Sequence, residues 1–357
     1  MKASVGLSIL LAALVLRLGD ASAAQCGPFG DPPATVDHGA FASFLARHNP
    51  ICSGGEVLGP WTDADGNARY SCRYAPPAAS ISNPLPLVIF LHGSIATADS
   101  VKMTGLPGLI ATADLGGKSP GFILLAPQGR YTSHFYPATD SIGFGWDNWY
   151  RQLSPQGAVR IGGVLYAENP DAAAIDHFVA EQIAAGNVDR RRIYLMGWSN
   201  GAAFALLYAL NRPWVAAAAV YSAPNPFGAF DDPCPQTPVA VAASGLGQLQ
   251  LFNPQVPIMH LRNNCDIGGI CPTGIEFASE VRAATGNLDD VILDPSGNPV
   301  TACDLTCGAD PMAAGKIGVG ATLRGFWHHM RWPWARNDNL LAFLRQHPLA
   351  AAAAPSP

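Results

Sequence analysis

The sequence predicts an α/β fold: a mainly parallel central sheet flanked by helices on both faces, with a disulfide-containing N-terminal extension. Three observations lead there. From Pro86 onward short apolar runs alternate with helix-like stretches, the pattern that gives parallel strands joined by crossover helices. The pentapeptide Gly197-Trp198-Ser199-Asn200-Gly201 lies between the apolar run Ile193-Tyr194-Leu195-Met196 and an alanine-rich stretch over residues 202–210, so it reads as strand, tight turn and helix. The chain has 357 residues, of which 49% are hydrophobic, enough to enclose one large core.

Taken in order, Lys2, an apolar stretch over residues 5–16 and Ala21-Ser22-Ala23 read as the charged, hydrophobic and cleavage regions of a secretory leader, residues 1–23. The apolar stretch is well short of the roughly 20 residues needed to span a bilayer, so no stable membrane anchoring is expected. Gln25 before Cys26 sits where a lipid-attachment signal needs a small residue, which argues against lipidation. Residues 24–84, rich in Cys, Gly and Pro, form the extension that packs on the core, with an added edge strand expected over residues 69–74.

Residues 85–347 read as one continuous domain. Leu87-Val88-Ile89-Phe90-Leu91 and Gly121-Phe122-Ile123-Leu124-Leu125 read as buried strands. Asn169-Pro170-Asp171 starts a helix with a capping residue and a proline in its first turn. Ile175, Phe178, Val179 and Ile183 mark its buried face, and Gly186 ends it. Residues 215–221 and 239–243 fit helix or strand equally, because alanine weakens the pattern, whereas residues 257–261 read as a strand. A last helix covers Asn337 to Gln346, and the Ala- and Pro-rich tail, residues 348–357, is expected to be disordered.

All eight cysteines lie beyond the leader, and an even number in an exported chain reads as disulfides. Proximity suggests Cys52 with Cys72, Cys265 with Cys271 and Cys303 with Cys307. None of these spacings has the C-x-x-C or histidine partner of a zinc site, so no metal or other cofactor is expected. The net charge of -5 carries no block of like sign, which leaves phosphate recognition, and hence nucleic-acid binding, without a footing.

Chemistry concentrates downstream of the pentapeptide. A serine on a strained turn, followed by a helix N-terminus, stands free above the sheet, which makes Ser199 the candidate nucleophile. Its hydroxyl needs a histidine to take the proton and an acid to orient that histidine. Asp266, just past the strand ending near Leu261, is the favoured acid, with Asp289, Asp290, Asp294 and Asp304 as rivals. The base is expected in a loop before the last helix, where His328 and His329 are neighbours and His329 is preferred. Charge on the substrate carbonyl requires preset donors, for which the backbone N–H groups of Asn200 and Ser94 are the candidates. His92 reads as a residue that braces its loop. Trp198, Trp146 and Trp332 are expected to border a substrate, although buried packing is the commoner use of such rings.

Together these segments resemble the secreted esterases that include polyhydroxybutyrate depolymerases and feruloyl or acetylxylan esterases, proteins of the α/β-hydrolase fold. The likeness rests on Leu87-Val-Ile-Phe-Leu-His-Gly93, Gly121-Phe-Ile-Leu-Leu-Ala-Pro-Gln128, Trp146-Asp-Asn-Trp-Tyr150 and, most specifically, Asn187 through Gly201. Two departures stand out. The family's H-G-x-x-D at the acid is here Arg262-Asn263-Asn264-Cys265-Asp266, and its G-H-x-W-P is here His329-Met-Arg-Trp-Pro333 with one extra residue. The resemblance implies hydrolysis of a carboxylic ester, small or oligomeric, through an acylated Ser199. A peptidase on the same fold and a catalytically silent binding protein are the competing readings.

Overall fold

The computed structural model describes residues 50–63, 66–132, 143–146, 159–161, 164–166, 169–226, 251–267, 270–304 and 323–350. The leader, Cys26, residues 147–150 of the aromatic loop, the run 239–243, Cys234, Cys307 and residues 351–357 lie outside them.

Nine strands form the main sheet: β1 (Glu56–Thr62), β2 (Ala68–Tyr74), β3 (Leu85–Leu91), β4 (Ile123–Pro127), β5 (Val188–Trp198), β6 (Ala217–Tyr221), β7 (Ile258–Asn263), β8 (Leu288–Leu293) and β9 (Pro299–Val300). Their order is β1-β2-β4-β3-β5-β6-β7-β8-β9. From β4 through β8 every neighbouring pair is parallel, while β1, β2 and β9 add antiparallel edges. Residues 215–221 thus resolve as strand rather than helix from Ala217 on. The central strands are apolar on both faces because both faces are covered. Along β3, Leu85, Leu87, Ile89 and Leu91 join one core cluster. Val88 and Phe90 join the other.

The first cluster is closed by α1 (Pro170–Ala184) and α2 (Asn200–Ala209), the second by α5 (Asn337–Gln346), whose Leu340, Leu341, Phe343 and Leu344 are buried. Asn169 caps α1 by accepting from the Asp171 and Ala172 N–H groups at 2.9 and 3.1 Å, and Pro170 takes the first helical position, where no N–H is needed. Every residue of α2 is buried, which explains why its sequence shows no polar face. Two further helices, α3 (Ile270–Ala284) and α4 (Leu323–His329), flank the strand ends nearest the acid and the base.

Two expectations change. Residues 69–74 do form a strand, but β2 is not the edge, because β1 pairs outside it. Gly59-Pro60 interrupts β1 and hides its strand character. A buried ion-pair set fixes this hairpin to the core: Arg69 reaches Asp63 at 3.0 Å and Asp171, in the first turn of α1, at 2.5 Å. The tail is not wholly loose, since Leu349 accepts from the Arg191 side chain and donates to its carbonyl, both at 2.9 Å.

The cysteine pairing also changes. Cys52 bonds Cys72 as expected, but Cys271 bonds Cys303, which overturns both the Cys265–Cys271 and Cys303–Cys307 pairs. The fold brings Cys271, at the start of α3, against the chain leaving β9, so closeness in space overrides closeness in sequence. Cys265 is also disulfide-bonded. Among the described residues no cysteine is free and no helix is long and apolar enough to cross a membrane.

Candidate active site

The turn between β5 and α2 is set by steric necessity. A Cβ at Gly197 would lie 2.6 Å from the Gly201 carbonyl oxygen, and one at Gly201 would lie 2.2 Å from the His92 carbonyl oxygen. Any side chain at either position would push the turn away from the strands, so the two glycines let it fold tightly over the sheet. Ser199 between them takes φ 57° and ψ -124°, a conformation L-residues avoid. Its N–H donates to the Tyr221 carbonyl at 3.1 Å, which holds the turn against β6.

Ser199, His329 and Asp266 meet although 130 and 63 residues of sequence separate the successive partners. His329 Nε2 lies 2.9 Å from Ser199 Oγ, and His329 Nδ1 lies 2.6 Å from Asp266 Oδ1. The carboxylate requires a donor, so Nδ1 carries the proton and Nε2 is left to accept from the serine. The Ile267 N–H also donates to Asp266 Oδ1, at 2.7 Å, and the Ser222 hydroxyl donates to Oδ2. All four of Ser199, His329, Asp266 and Ser222 are buried, so these bonds are shielded from competing water.

His329 ends a short helix, α4, rather than sitting in a loop. Helical spacing turns its neighbour aside. His328 is only partly buried and does not join the serine; burial, then the nearby charges of Arg324 and Arg331, lower its pKa from the ordinary 6.5. Of the rival acids, Asp290 is taken by Arg262 and by Arg282, and Asp294 by the turn it closes with Ser296 and Asn298.

The loop after β3 lies against the serine: a Cβ at Gly93 would come within 3.3 Å of Ser199 Cβ. Half-buried Ser94 follows, and Ile95, at φ 66°, donates its N–H to the Phe144 carbonyl at 2.7 Å. His92 secures this loop from beneath. Its Nδ1 bonds the Gly93 carbonyl at 2.8 Å and its Nε2 accepts the Gly129 N–H at 2.9 Å. Full burial lowers its pKa to about 4, so the ring is neutral. Asn200 opens α2 with its backbone at the helix N-terminus, while its side chain exchanges two bonds with Trp146: the Trp146 N–H donates at 2.7 Å and the Trp146 carbonyl accepts at 2.9 Å.

The three tryptophans expected to border a substrate are all buried. Trp146 is fully buried, stacks on Phe204 and donates its indole N–H to the His92 carbonyl at 2.9 Å. Trp198 donates to the His329 carbonyl at 3.0 Å. Trp332 donates to Asn337 Oδ1 at 2.8 Å and packs edge-on against Phe90, Trp198 and Tyr221. An indole N–H must find a partner when buried, and these partners are the carbonyls and amide that position the histidine loops. The exposed rings are others: Phe326 at 46% and Trp327 at 67%, both on the helix that ends in His329, and Trp334 at 61%. Ser222 had no signal in the sequence, because its partner lies across a crossover of 44 residues.

No family model and no curated protein matches the chain. Among solved structures, a thermostable esterase is 15% identical over 84% of this chain and 64% of its own, with a TM-score of 0.49. Esterase 2 of Thermogutta terrifontis in its apo form is 13% identical over 79% of this chain and 92% of its own, with a TM-score of 0.47. The same esterase phosphorylated by paraoxon gives 14% and 0.46 over the same shares. Independently of these likenesses, the strand order from β4 to β8, the strained serine turn and the acid past β7 make this an α/β-hydrolase fold.

Proposed function

We propose that the chain is an exported serine esterase that cleaves carboxylic esters through an acyl-enzyme. The observation that carries this reading is the unbroken run of hydrogen bonds from Ser199 Oγ through the His329 ring to Asp266. As Ser199 Oγ attacks the ester carbonyl, His329 Nε2 takes its proton, and Asp266 stabilises the imidazolium without becoming protonated. The developing oxyanion is received by the backbone N–H groups of Ser94 and Asn200, the latter reinforced by the N-terminus of α2. His329 then protonates the departing alcohol. Water, deprotonated by the same ring, releases the acid and restores the serine.

Export is supported by the leader-like residues 1–23 and by the disulfides Cys52–Cys72 and Cys271–Cys303, which persist only in an oxidising compartment. For substrate we favour polyhydroxyalkanoate oligomers or feruloyl and acetyl esters of cell-wall polymers. The exposed rings of Phe326 and Trp327, carried on the helix of the base, suit a chain or an aromatic group lying against that helix.

A fluorophosphonate probe is expected to label Ser199, and p-nitrophenyl acyl esters to turn over while matched anilides do not. Ser199→Ala is expected to lose at least about a thousandfold in turnover while unfolding at an unchanged denaturant midpoint. Cleavage that persists with Ser199 unlabelled would sink the reading. An ester panel from acetyl through octanoyl to feruloyl and hydroxybutyrate oligomers then ranks the substrates.

A further inference from the structure

Ser222 follows β6 directly and is fully buried. Its φ is 54°, and it is one of three non-glycine residues with positive φ among those described, the others being Ser199 and Ile95. Such a backbone is disfavoured for an L-residue and persists only where the surroundings impose it. Here they do. The Ser222 N–H donates to the Leu261 carbonyl at 2.9 Å, which brings the end of β6 against β7, and the Ser222 hydroxyl donates to Asp266 Oδ2.

We infer that Ser222 is a positioning residue for the Ser199-His329-Asp266 system, acting through the carboxylate it holds; the inference rests on the esterase reading for its effect on turnover. Asp266 has two oxygens and one of them must face His329 Nδ1. Oδ1 does so at 2.6 Å, with the Ile267 N–H on the same oxygen at 2.7 Å. Both of those bonds hold Oδ1, so rotation of the carboxylate about its Cβ–Cγ bond is already resisted from one side. A donor on Oδ2 stops that rotation and makes the acid a fixed acceptor for the imidazole. Next to Ser222 in the chain, the Tyr221 side chain is buried. Burial, then the charge of Asp266, keeps that phenol protonated, so it remains able to donate. Tyr221 also supplies the carbonyl that fixes the Ser199 N–H. Two consecutive residues of β6 and its exit thus hold the nucleophile's backbone and the acid's side chain.

A glycine at position 222 would relieve the backbone and a serine would not, which makes the hydroxyl the reason to keep the strain. The test uses Ser222→Ala and Ser222→Gly in the full chain, because glycine adopts φ 54° freely and folds even if alanine does not. For a p-nitrophenyl ester, kcat is expected to fall about 10- to 100-fold in both variants, as the loss of a hydrogen bond to a charged group implies, with KM within about twofold. The far-downfield NMR resonance of the proton between His329 Nδ1 and Asp266 is expected to shift or broaden in both variants. That resonance does not depend on turnover, so it reads Ser222 even if Ser199 proves inert and the esterase reading fails. Unchanged kcat with an unmoved resonance would overturn the inference. So would a glycine variant as active as the wild type, or a KM that rises in step with the loss of kcat.

Discussion

Two histidine-bearing segments meet the serine turn from opposite sides, and their difference shows what makes an imidazole a base. His92, after β3, and His329, at the end of α4, are both buried, and each uses both ring nitrogens. Burial therefore does not distinguish them. Their partners do. His329 has a carboxylate on Nδ1 and a hydroxyl on Nε2, so a proton gained from the hydroxyl is stabilised by the acid at once. His92 has a carbonyl on Nδ1 and a backbone N–H on Nε2, so neither nitrogen meets a carboxylate, and burial lowers its pKa to about 4. One ring is built to change state and the other to keep it.

The sharpest way to break this contrast is to remove each ring. His329→Ala is expected to lose at least about a thousandfold in ester turnover and in fluorophosphonate labelling, with little change in unfolding midpoint. His92→Phe reverses the pattern. It strands the Gly129 N–H, costs about 2–4 kcal/mol in denaturant unfolding, and slows labelling of the folded protein far less than loss of His329 does. Acid sharpens the same point. The unfolded His92 ring takes a proton near pH 6.5 and the folded ring only near about 4, so the unfolded state binds more protons between those values. Stability is fully present above the upper value and is lost as pH falls through the window, and His92→Phe should flatten that slope in thermal melts. The smallest effect is expected for His328→Ala, less than about fivefold in kcat/KM, because its ring does not reach the serine. A loss as deep as that of His329 would mean that the two neighbours share the work.

The same contrast explains what could be read in advance. The turn at Ser199 was legible because the Gly-x-Ser-x-Gly pattern is local in the chain, although the atoms that exclude a Cβ at Gly201 lie at the end of β3 and just after it. The cap at Asn169-Pro170 and the helix Asn337–Gln346 were legible for the same reason, since both are decided by near neighbours in the chain. Asp266 and His329 followed from chain order relative to the serine. What escaped was set at a distance. Cys271 meets Cys303 across 32 residues, and Ser222 meets Asp266 across 44, with no local pattern marking either. The tryptophans are harder to read, because an aromatic next to a reactive residue looks alike in sequence whether it faces a ligand or holds the backbone from behind. Only the acceptor of each indole N–H separates the two uses.

The chain that carries Asp266 is short and fastened at both ends. Cys265 immediately before it and Cys271 a few residues after it are both buried and both cross-linked, the latter to Cys303 beyond β9. The slack of this loop is limited by covalent bonds. The position of the carboxylate is thus bounded by two sulfur bridges as well as by its hydrogen bonds.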